Sequence, residues 1–187
     1  MLTNADKAEL IAMHEYRRPH GSVSEQDFIR RYIWSLKVME DKFGNCYKII
    51  TETNDAPPRV LWSAHTDTVH HTGGKQWVQY KSGTLRLKPT STANCLGADN
   101  GAGIWLLRQM IRHNIPGLYI FHRLEENGGQ GARFVLKNHA NMLEGIQAAI
   151  AFDRKGTKSI ITHQRYSRCC SDAFAISLAG TINLGHE

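Results

Sequence analysis

The chain has few cysteines and no long apolar run, and both shortages limit what it can be. Its 187 residues include four cysteines but no CxxC pair, so neither a zinc knuckle nor a thioredoxin-type motif is indicated. No segment approaches the roughly 18 consecutive apolar residues that cross a bilayer, and the first residues lack the apolar core of a signal peptide. We therefore expect a cytoplasmic protein with reduced, mostly buried thiols and no membrane partner.

Positive charge exceeds negative charge, but it is not concentrated anywhere. The formal net charge is +6, and acidic residues interrupt the lysines and arginines. Basic pairs such as Arg17-Arg18 and Arg30-Arg31 are typical of solvated helix faces, whereas a nucleic-acid groove needs a continuous basic patch. We therefore expect no nucleic-acid partner.

The length and the order of the apolar segments predict one α/β domain. With 41% apolar residues, residues 1–187 suffice for a single domain with a sizeable core. The apolar spacing predicts helices at 3–16, 24–39, 104–111, 132–139 and 171–178, and strands at 47–51, 59–64, 77–80, 84–87, 118–122, 146–152 and 159–163. Strands that alternate with helices predict a three-layer α/β/α sandwich with a mixed, mostly parallel central sheet.

Acidic residues and one histidine follow the predicted strands. The run from Val60 to Ala64 ends on His65 and Asp67. Three later stretches have the same form, namely GADNGAG with Asp99, EENGGQGA with Glu125 and Glu126, and FDRKG with Asp153. Ligands bind outside the carboxyl ends of the strands in such a sheet. We therefore expect these side chains to converge.

Converging carboxylates require a cation, because burying an unpaired ion costs several kcal/mol. One histidine with Asp and Glu oxygens suits Zn²⁺, with Co²⁺ or Mn²⁺ as alternatives. No cysteine is among the candidate ligands, which disfavours a closed structural zinc site, and a two-metal site with a bridging Asp is chemically sensible. The candidate metal ligands are His65, Asp99, Glu126 and Asp153.

Two acids are expected to act beside the ion. Asp67 comes two residues after His65 and can accept the second N–H of the imidazole. Of the adjacent Glu125 and Glu126, only one can easily face the ion. We therefore assign Glu126 as the ligand and Glu125 as the general base that takes a proton from water.

The order of these motifs resembles that of the co-catalytic dinuclear zinc exopeptidases, a group of aminopeptidases and carboxypeptidases that includes peptidase T. The resemblance covers residues 59–156, through AHTDTV, GADNGAG, EENGGQGA and FDRKG. It implies a mixed sheet between helices, with His65 and Asp153 on one metal, Glu126 on the other and Asp99 bridging them. The same resemblance implies that Asp67 orients His65 and that Glu125 is the general base.

The chain departs from this family at the last ligand. The family has a further histidine on the Glu126 metal, well after the equivalent of Asp153, but only 34 residues follow that position here. The last ligand is therefore His163, His186 or no residue of this chain. We expect a chain that is shortened at its carboxyl-terminal side and holds one or two metals.

These expectations favour a metal-dependent exopeptidase. An aminopeptidase comes first, because an acidic cluster can hold a substrate ammonium, whereas no single arginine stands out as a carboxylate-binding group. The alternatives are an N-acyl amino acid amidohydrolase or dipeptidase on the same core, and an inactive metal-binding remnant that serves as a binding or assembly protein. The expected partners are a peptide or amino-acid derivative and further copies of the chain in a homo-oligomer.

Three other histidines near the motifs are expected to have structural roles. His70 and His71 are interpreted as residues of the loop after the metal-binding strand, either exposed or lining the substrate cleft, with exposed positions favoured. His122 is interpreted as a hydrogen-bonded core residue.

Overall fold

The computed structural model describes residues 2–53, 56–156, 158–164 and 166–181. Its helices are α1 (Asn4–His14), α2 (Val23–Phe28), α3 (Ala98–Arg112), α4 (Gln130–Asn138) and α5 (Asp172–Thr181). Its strands are β1 (Tyr16–Arg17), β2 (Met39–Glu40), β3 (Cys46–Ile50), β4 (Val60–His65), β5 (Gly74–Lys75), β6 (Val78–Lys81), β7 (Thr84–Leu87), β8 (Gly117–His122), β9 (Ala148–Ala151), β10 (His163–Gln164) and β11 (Ser167–Arg168). The chain divides into two compact units, Met1–Phe152 and Asp153–Glu187, and each is described by itself.

Five strands of the first unit form one mixed sheet in the order β2-β3-β8-β4-β9. β4 lies between β8 and β9 and is parallel to both, whereas β2 and β3 add two antiparallel pairings. Because β4, β8 and β9 run in the same direction, their carboxyl ends meet at one edge of the sheet. β4 ends on His65 at this edge, and the loops that leave β4 and β8 there carry Asp67, Glu125 and Glu126.

Apolar side chains alternate along β8, and each set packs under a different helical layer. Tyr119 and Phe121 belong to the larger core, which also contains residues of α1, α2 and α3. Leu118 and Ile120 belong to a smaller core with Val135 of α4. Helices therefore cover both faces of a mixed sheet, and the predicted three-layer α/β/α sandwich is confirmed.

The helix predicted at 24–39 has the right buried face but the wrong length. α2 ends at Phe28, and the chain continues through a π-helical turn at Ile29–Ile33 and a 3₁₀ turn at Trp34–Leu36. The apolar side chains at helical spacing stay buried, namely Phe28, Ile29, Tyr32, Ile33 and Leu36, whereas Trp34 is 47% exposed. The periodicity therefore identified the buried face, but not the change in backbone hydrogen bonding.

The second unit contains a two-stranded hairpin and a helix. The strand predicted at 159–163 is wrong apart from His163, because residues 159–162 lie in no regular element. β10 and β11 pair as a short antiparallel hairpin instead. The predicted carboxyl-terminal helix is confirmed as α5.

Two predictions from composition concern the thiols and membrane-spanning segments. All four cysteines are free, as expected, and Cys46 is buried, but Cys169 is exposed and Cys95 and Cys170 are half-buried. The expectation of mostly buried thiols is therefore wrong. Among the described residues, no helix is both long and apolar enough to cross a membrane.

Candidate metal centre

His65, the last residue of β4, lies at the centre of the candidate site and is almost fully buried. It pairs with His122 in the parallel register of β4 and β8, and the next residue, Thr66, donates its backbone N–H to the carbonyl of His122 at 2.9 Å. The backbone hydrogen bonds between β4 and β8 thus fix the backbone of β4 as far as Thr66. The imidazole consequently has a defined direction at the edge of the sheet.

Asp67 is fully buried and joins the loops that follow β4 and β8. Its carboxylate accepts the backbone N–H groups of Glu125 and Glu126, each at 3.0 Å, and lies 3.5 Å from His65 Nδ1. Burial would raise the pKa of Asp67, but these hydrogen-bonding partners outweigh burial, and its pKa is lowered. Asp67 therefore stays ionised and holds the backbone of the Glu125-Glu126 turn.

Asp99 reaches the site from the first turn of α3. Gly97 precedes this helix with φ 71°, and Asp99 and Asn100, joined by a cis peptide bond, depart from helical geometry. A side chain at Gly97 would place its Cβ 2.8 Å from His70, so a glycine is required both for the backbone angle and for the packing. Asp99 Oδ1 lies 2.8 Å from His65 Nε2.

The hydrogen bonds of His65 indicate what could lie between these two atoms. Nδ1 donates to the backbone carbonyl of Asp67 at 3.1 Å, and we assign this tautomer because a carbonyl can only accept. A neutral imidazole then presents the lone pair of Nε2 to the carboxylate oxygen of Asp99. Two lone pairs at 2.8 Å require a proton or a metal cation to bridge them.

Glu125 and Glu126 add two carboxylates at the same edge. Glu125 Oε2 lies 3.9 Å from His65 Nε2, and its side chain is 43% exposed. Burial and the nearby negative charge of Asp99 raise the pKa of Glu126 to about 7. Its Oε1 is buried, with no hydrogen-bond partner among the described residues. A buried carboxylate oxygen without a partner beside other acids has the properties of a cation ligand.

The donor set of the first unit therefore fits a divalent metal. One imidazole nitrogen with carboxylate oxygens suits Zn²⁺ or a similar ion. Asp153 is the first residue of the second unit and directly follows Phe152, which stacks on Trp62 in the first unit. His163 lies on β10 and is exposed, and His186 is outside the described residues. The ligand roles of these last three residues stay predictions.

Two buried ionic residues near the site were missed by the sequence analysis. Arg18 is fully buried, so the interpretation of Arg17-Arg18 as a solvated pair is wrong for this residue. Glu25 is fully buried as well and forms a two-pronged ion pair with Arg123, both N–O distances being 2.9 Å. The sequence around Glu25 and Arg123 offers no signal of this contact, because the residues are 98 positions apart.

The roles expected for the other histidines are corrected in part. His70 is buried rather than exposed, with its ring bonded to Thr68 and Gln76, whereas His71 is exposed. His122 is buried, and burial lowers its pKa to about 4. Its Nδ1 has no hydrogen-bond partner in the part of the chain that the structure describes, so the expected hydrogen bond of that nitrogen is absent there.

Comparisons with known proteins find solved structures of similar fold. No protein-family model and no curated protein matches the chain. Aminopeptidase PepT from Bacillus cereus is similar with a TM-score of 0.64 at 22% identity, over 82% of this chain and 44% of that one. A tripeptidase from Staphylococcus aureus gives a TM-score of 0.62 at 18% identity, over 81% of this chain and 43% of that one. PhTET1-12s, a dodecamer in its asymmetric unit, gives 0.57 at 16% identity, over 98% of this chain and 82% of that one.

This chain spans less than half the length of the aminopeptidase and the tripeptidase that it resembles. The similarity nevertheless extends over most of the chain, and the neighbours include peptidases. The resemblance to the zinc exopeptidases that the motifs predict is therefore confirmed as a likeness of fold.

Proposed function

We propose that this chain is the catalytic core of a metal-dependent exopeptidase, with an aminopeptidase as the favoured type. The observation that carries the proposal is the approach of His65 Nε2 and Asp99 Oδ1 to 2.8 Å. Glu126 adds a buried oxygen that has no hydrogen-bond partner within the described ranges of the chain. The aminopeptidase and tripeptidase names of two structural neighbours add support.

His65, Asp99, Glu126 and Asp153 are the proposed metal ligands. Asp153 is included because it comes two residues after β9, and β9 runs parallel to β4, the strand that ends on His65. A divalent ion held there would supply Lewis acidity, which polarises a carbonyl oxygen and lowers the pKa of water toward neutrality. Zn²⁺ is proposed first, with Co²⁺ and Mn²⁺ as alternatives.

Glu125 is proposed as the general base. Its half-exposed carboxylate lies within reach of the site, while its backbone is held by Asp67. It takes the proton of the attacking water as the oxygen bonds to the carbonyl carbon. It then gives this proton to the amine nitrogen as the C–N bond breaks. Asp67 keeps the base in place and orients His65.

The acidic cluster favours a substrate with a free ammonium group. Asp99 is 66% exposed and Glu125 is 43% exposed, so negative charge faces the solvent-accessible side of the site. A positively charged peptide amino terminus is attracted there, whereas a free carboxylate is repelled. By analogy with the dodecameric neighbour, we also propose that copies of this chain associate.

The test uses the full chain, freed of metal with a chelator and reloaded with Zn²⁺ or Co²⁺. Elemental analysis is expected to give at least one ion per chain, and amino-acid amides are expected to be hydrolysed faster than N-acyl amino acids. Faster cleavage of the N-acyl compounds would favour the amidohydrolase alternative. Bound metal without any turnover would favour an inactive metal-binding remnant.

A Glu125→Gln variant separates chemistry from metal binding. We expect kcat to fall by about 10² to 10⁴, because proton transfer is lost, while the metal content stays that of the wild type. Glu144→Gln is the matched control, since Glu144 is exposed and is not part of any of the four motifs. An unchanged kcat in the Glu125 variant would refute the proposed base.

A further inference from the structure

We propose that Arg18 is a positioning residue of the candidate metal centre. Its buried guanidinium ties the loop after β4 to the start of α3 and so sets the distance between His65 and Asp99. The inference deepens the proposed function, because it assigns a residue outside all four motifs to the same site. It rests on the contacts of one side chain with two loops that are far apart in the chain.

The guanidinium of Arg18 contacts the backbone next to both ligands. Nε donates to the carbonyl of Thr66 at 2.9 Å, and Nη2 donates to the carbonyl of Gly97 at 3.1 Å. Thr66 directly follows His65, and Gly97 precedes Asp99 by two residues. One rigid group thus fixes the spacing of the two segments that carry the ligands.

The backbone of Arg18 is joined to the same loop. Its N–H donates to Thr68 Oγ1 at 3.2 Å, and its carbonyl accepts the N–H of Thr68 at 2.9 Å. The guanidinium also lies over the ring of Phe28, 4.3 Å from its centroid. Arg18 therefore cannot move without displacing the loop that contains Asp67.

The charge of Arg18 is suited to an acidic site. Burial lowers its pKa to about 10, while the negative charges of Glu25 and Asp67 oppose this effect, so the group stays protonated at neutral pH. A fully buried cation is costly unless it is compensated. The negative charges of Glu25 and Asp67 offset part of that cost, and the cation in turn reduces their mutual repulsion.

Lysine cannot replace this geometry. A guanidinium is planar and presents donors in a fixed fork, whereas an ammonium is a single point of charge on a flexible stem. Gly101 in the first turn of α3 also packs closely on the group, since a Cβ there would lie 3.3 Å from Arg18 Nη2. Arg18→Lys therefore keeps the charge but loses the simultaneous contact with both carbonyls.

The experiment compares Arg18→Lys with Arg108→Lys in the full chain. Arg108 is a second buried arginine, but it contacts Tyr32 and Glu9 rather than the site loops. We expect the Co²⁺ affinity of the Arg18 variant to fall about 10- to 100-fold, the usual effect of losing a group that orients ligands. Its Co²⁺ absorption spectrum is also expected to change, whereas both properties stay those of the wild type in the Arg108 variant.

Hydrogen exchange provides a readout that needs no metal. The amides of residues 97–101 and 66–68 are expected to exchange faster in the Arg18 variant than in the Arg108 variant, because the link between their segments is lost. If Arg18→Lys fails to fold, Phe28→Leu keeps an apolar core residue but removes the ring beneath the guanidinium. It is expected to weaken Co²⁺ binding several-fold.

The outcomes separate this inference from the proposed function. Wild-type protein that binds no Co²⁺ would refute the metal site, and the exchange comparison alone would then decide the role of Arg18. Wild-type binding with equal Co²⁺ affinity and equal exchange in the two lysine variants would overturn the inference and leave the metal site standing. Equal losses of affinity in both variants would also overturn it, because they would indicate a general effect of stability.

Discussion

The carboxylate of Asp67 accepts the backbone N–H of Glu126 at 3.0 Å, and its other oxygen accepts that of Glu125. Asp67, which is predicted to accept an N–H of the His65 imidazole, thus also holds the turn that carries Glu125 and Glu126. Its side chain lies 3.5 Å from His65 Nδ1, longer than a hydrogen bond. The hydrogen bonds from the two backbone N–H groups are therefore stronger interactions of the Asp67 carboxylate than its contact with His65.

An Asp67→Asn variant tests this clamp. Asparagine offers one acceptor oxygen, so only one of the two backbone N–H groups keeps its acceptor. The other N–H group then faces the NH₂ group of the asparagine side chain, which is itself a donor. We expect Zn²⁺ affinity, measured by calorimetry, to fall about 10- to 100-fold. Asp6→Asn is the control, because Asp6 also accepts a backbone N–H, but at the start of α1. Equal affinities in the two variants would contradict the prediction.

The buried pair of Glu25 and Arg123 is expected to contribute strongly to stability. Glu25→Gln leaves the Arg123 guanidinium with a weaker, neutral partner in a buried position, and breaking such a pair costs about 3 to 5 kcal/mol. Urea denaturation measures the free energy of unfolding. Asp172→Asn is the control, because it removes the negative charge of an exposed ion pair with Arg168, and it is expected to change the free energy of unfolding little. Equal losses of stability in the two variants would contradict the prediction.

Glu9 gives stability that depends on pH. Burial would raise its pKa, but Arg112 and Arg108 outweigh burial and hold the pKa at about 2. Since this value lies below the ordinary value of 4.5, the contribution is complete above pH 4.5 and is lost as the pH falls toward 2. We expect Glu9→Gln to cost about 1 to 2 kcal/mol at pH 7, after allowance for solvent screening, and much less near pH 2.5.

The Glu9 prediction is checked by urea denaturation at both pH values. Glu52→Gln is the control, because Glu52 is exposed, and it is expected to change little at either pH. A cost of Glu9→Gln that is the same at pH 7 and pH 2.5 would contradict the assigned pKa.

Gly117 begins the central strand β8 and allows a close contact with β4. Its φ is 152°, and a Cβ there would lie 2.3 Å from Trp62 Nε1 and 3.0 Å from the carbonyl of Val60. We expect Gly117→Ala to lower the free energy of unfolding by about 2 to 4 kcal/mol, through strain and overpacking. A Cβ added at Gly180 in α5 would have no atom of another described residue within 4 Å, so Gly180→Ala is expected to be neutral or slightly stabilising. Similar effects of the two substitutions in denaturation would refute this explanation.

Much of the fold follows from local pattern. β8 is a buried strand and β4 is a partly buried one, because alternate side chains of both pack into cores on the two faces of the sheet. The helices that cover them keep an apolar stripe. Backbone hydrogen bonding was harder to predict, since the helix at 24–39 changes to π-helical and 3₁₀ turns while the same side chains remain buried. The prediction of a strand at 159–163 was wrong because an apolar run forms a strand only where a neighbouring strand is available to pair with it.

The sequence by itself determined which residue types lie at the end of each strand: a histidine and an aspartate at the end of β4, and two glutamates after β8. Because parallel strands place their carboxyl ends at one edge, this order was enough to predict a shared site. Only the tertiary structure decided that Arg18 is buried against Thr66 and Gly97, and that Asp67 binds two amides 58 and 59 residues away. Hydrogen bonds to backbone carbonyls and amides depend on where distant loops lie in space, and the identity of a single side chain does not encode that position.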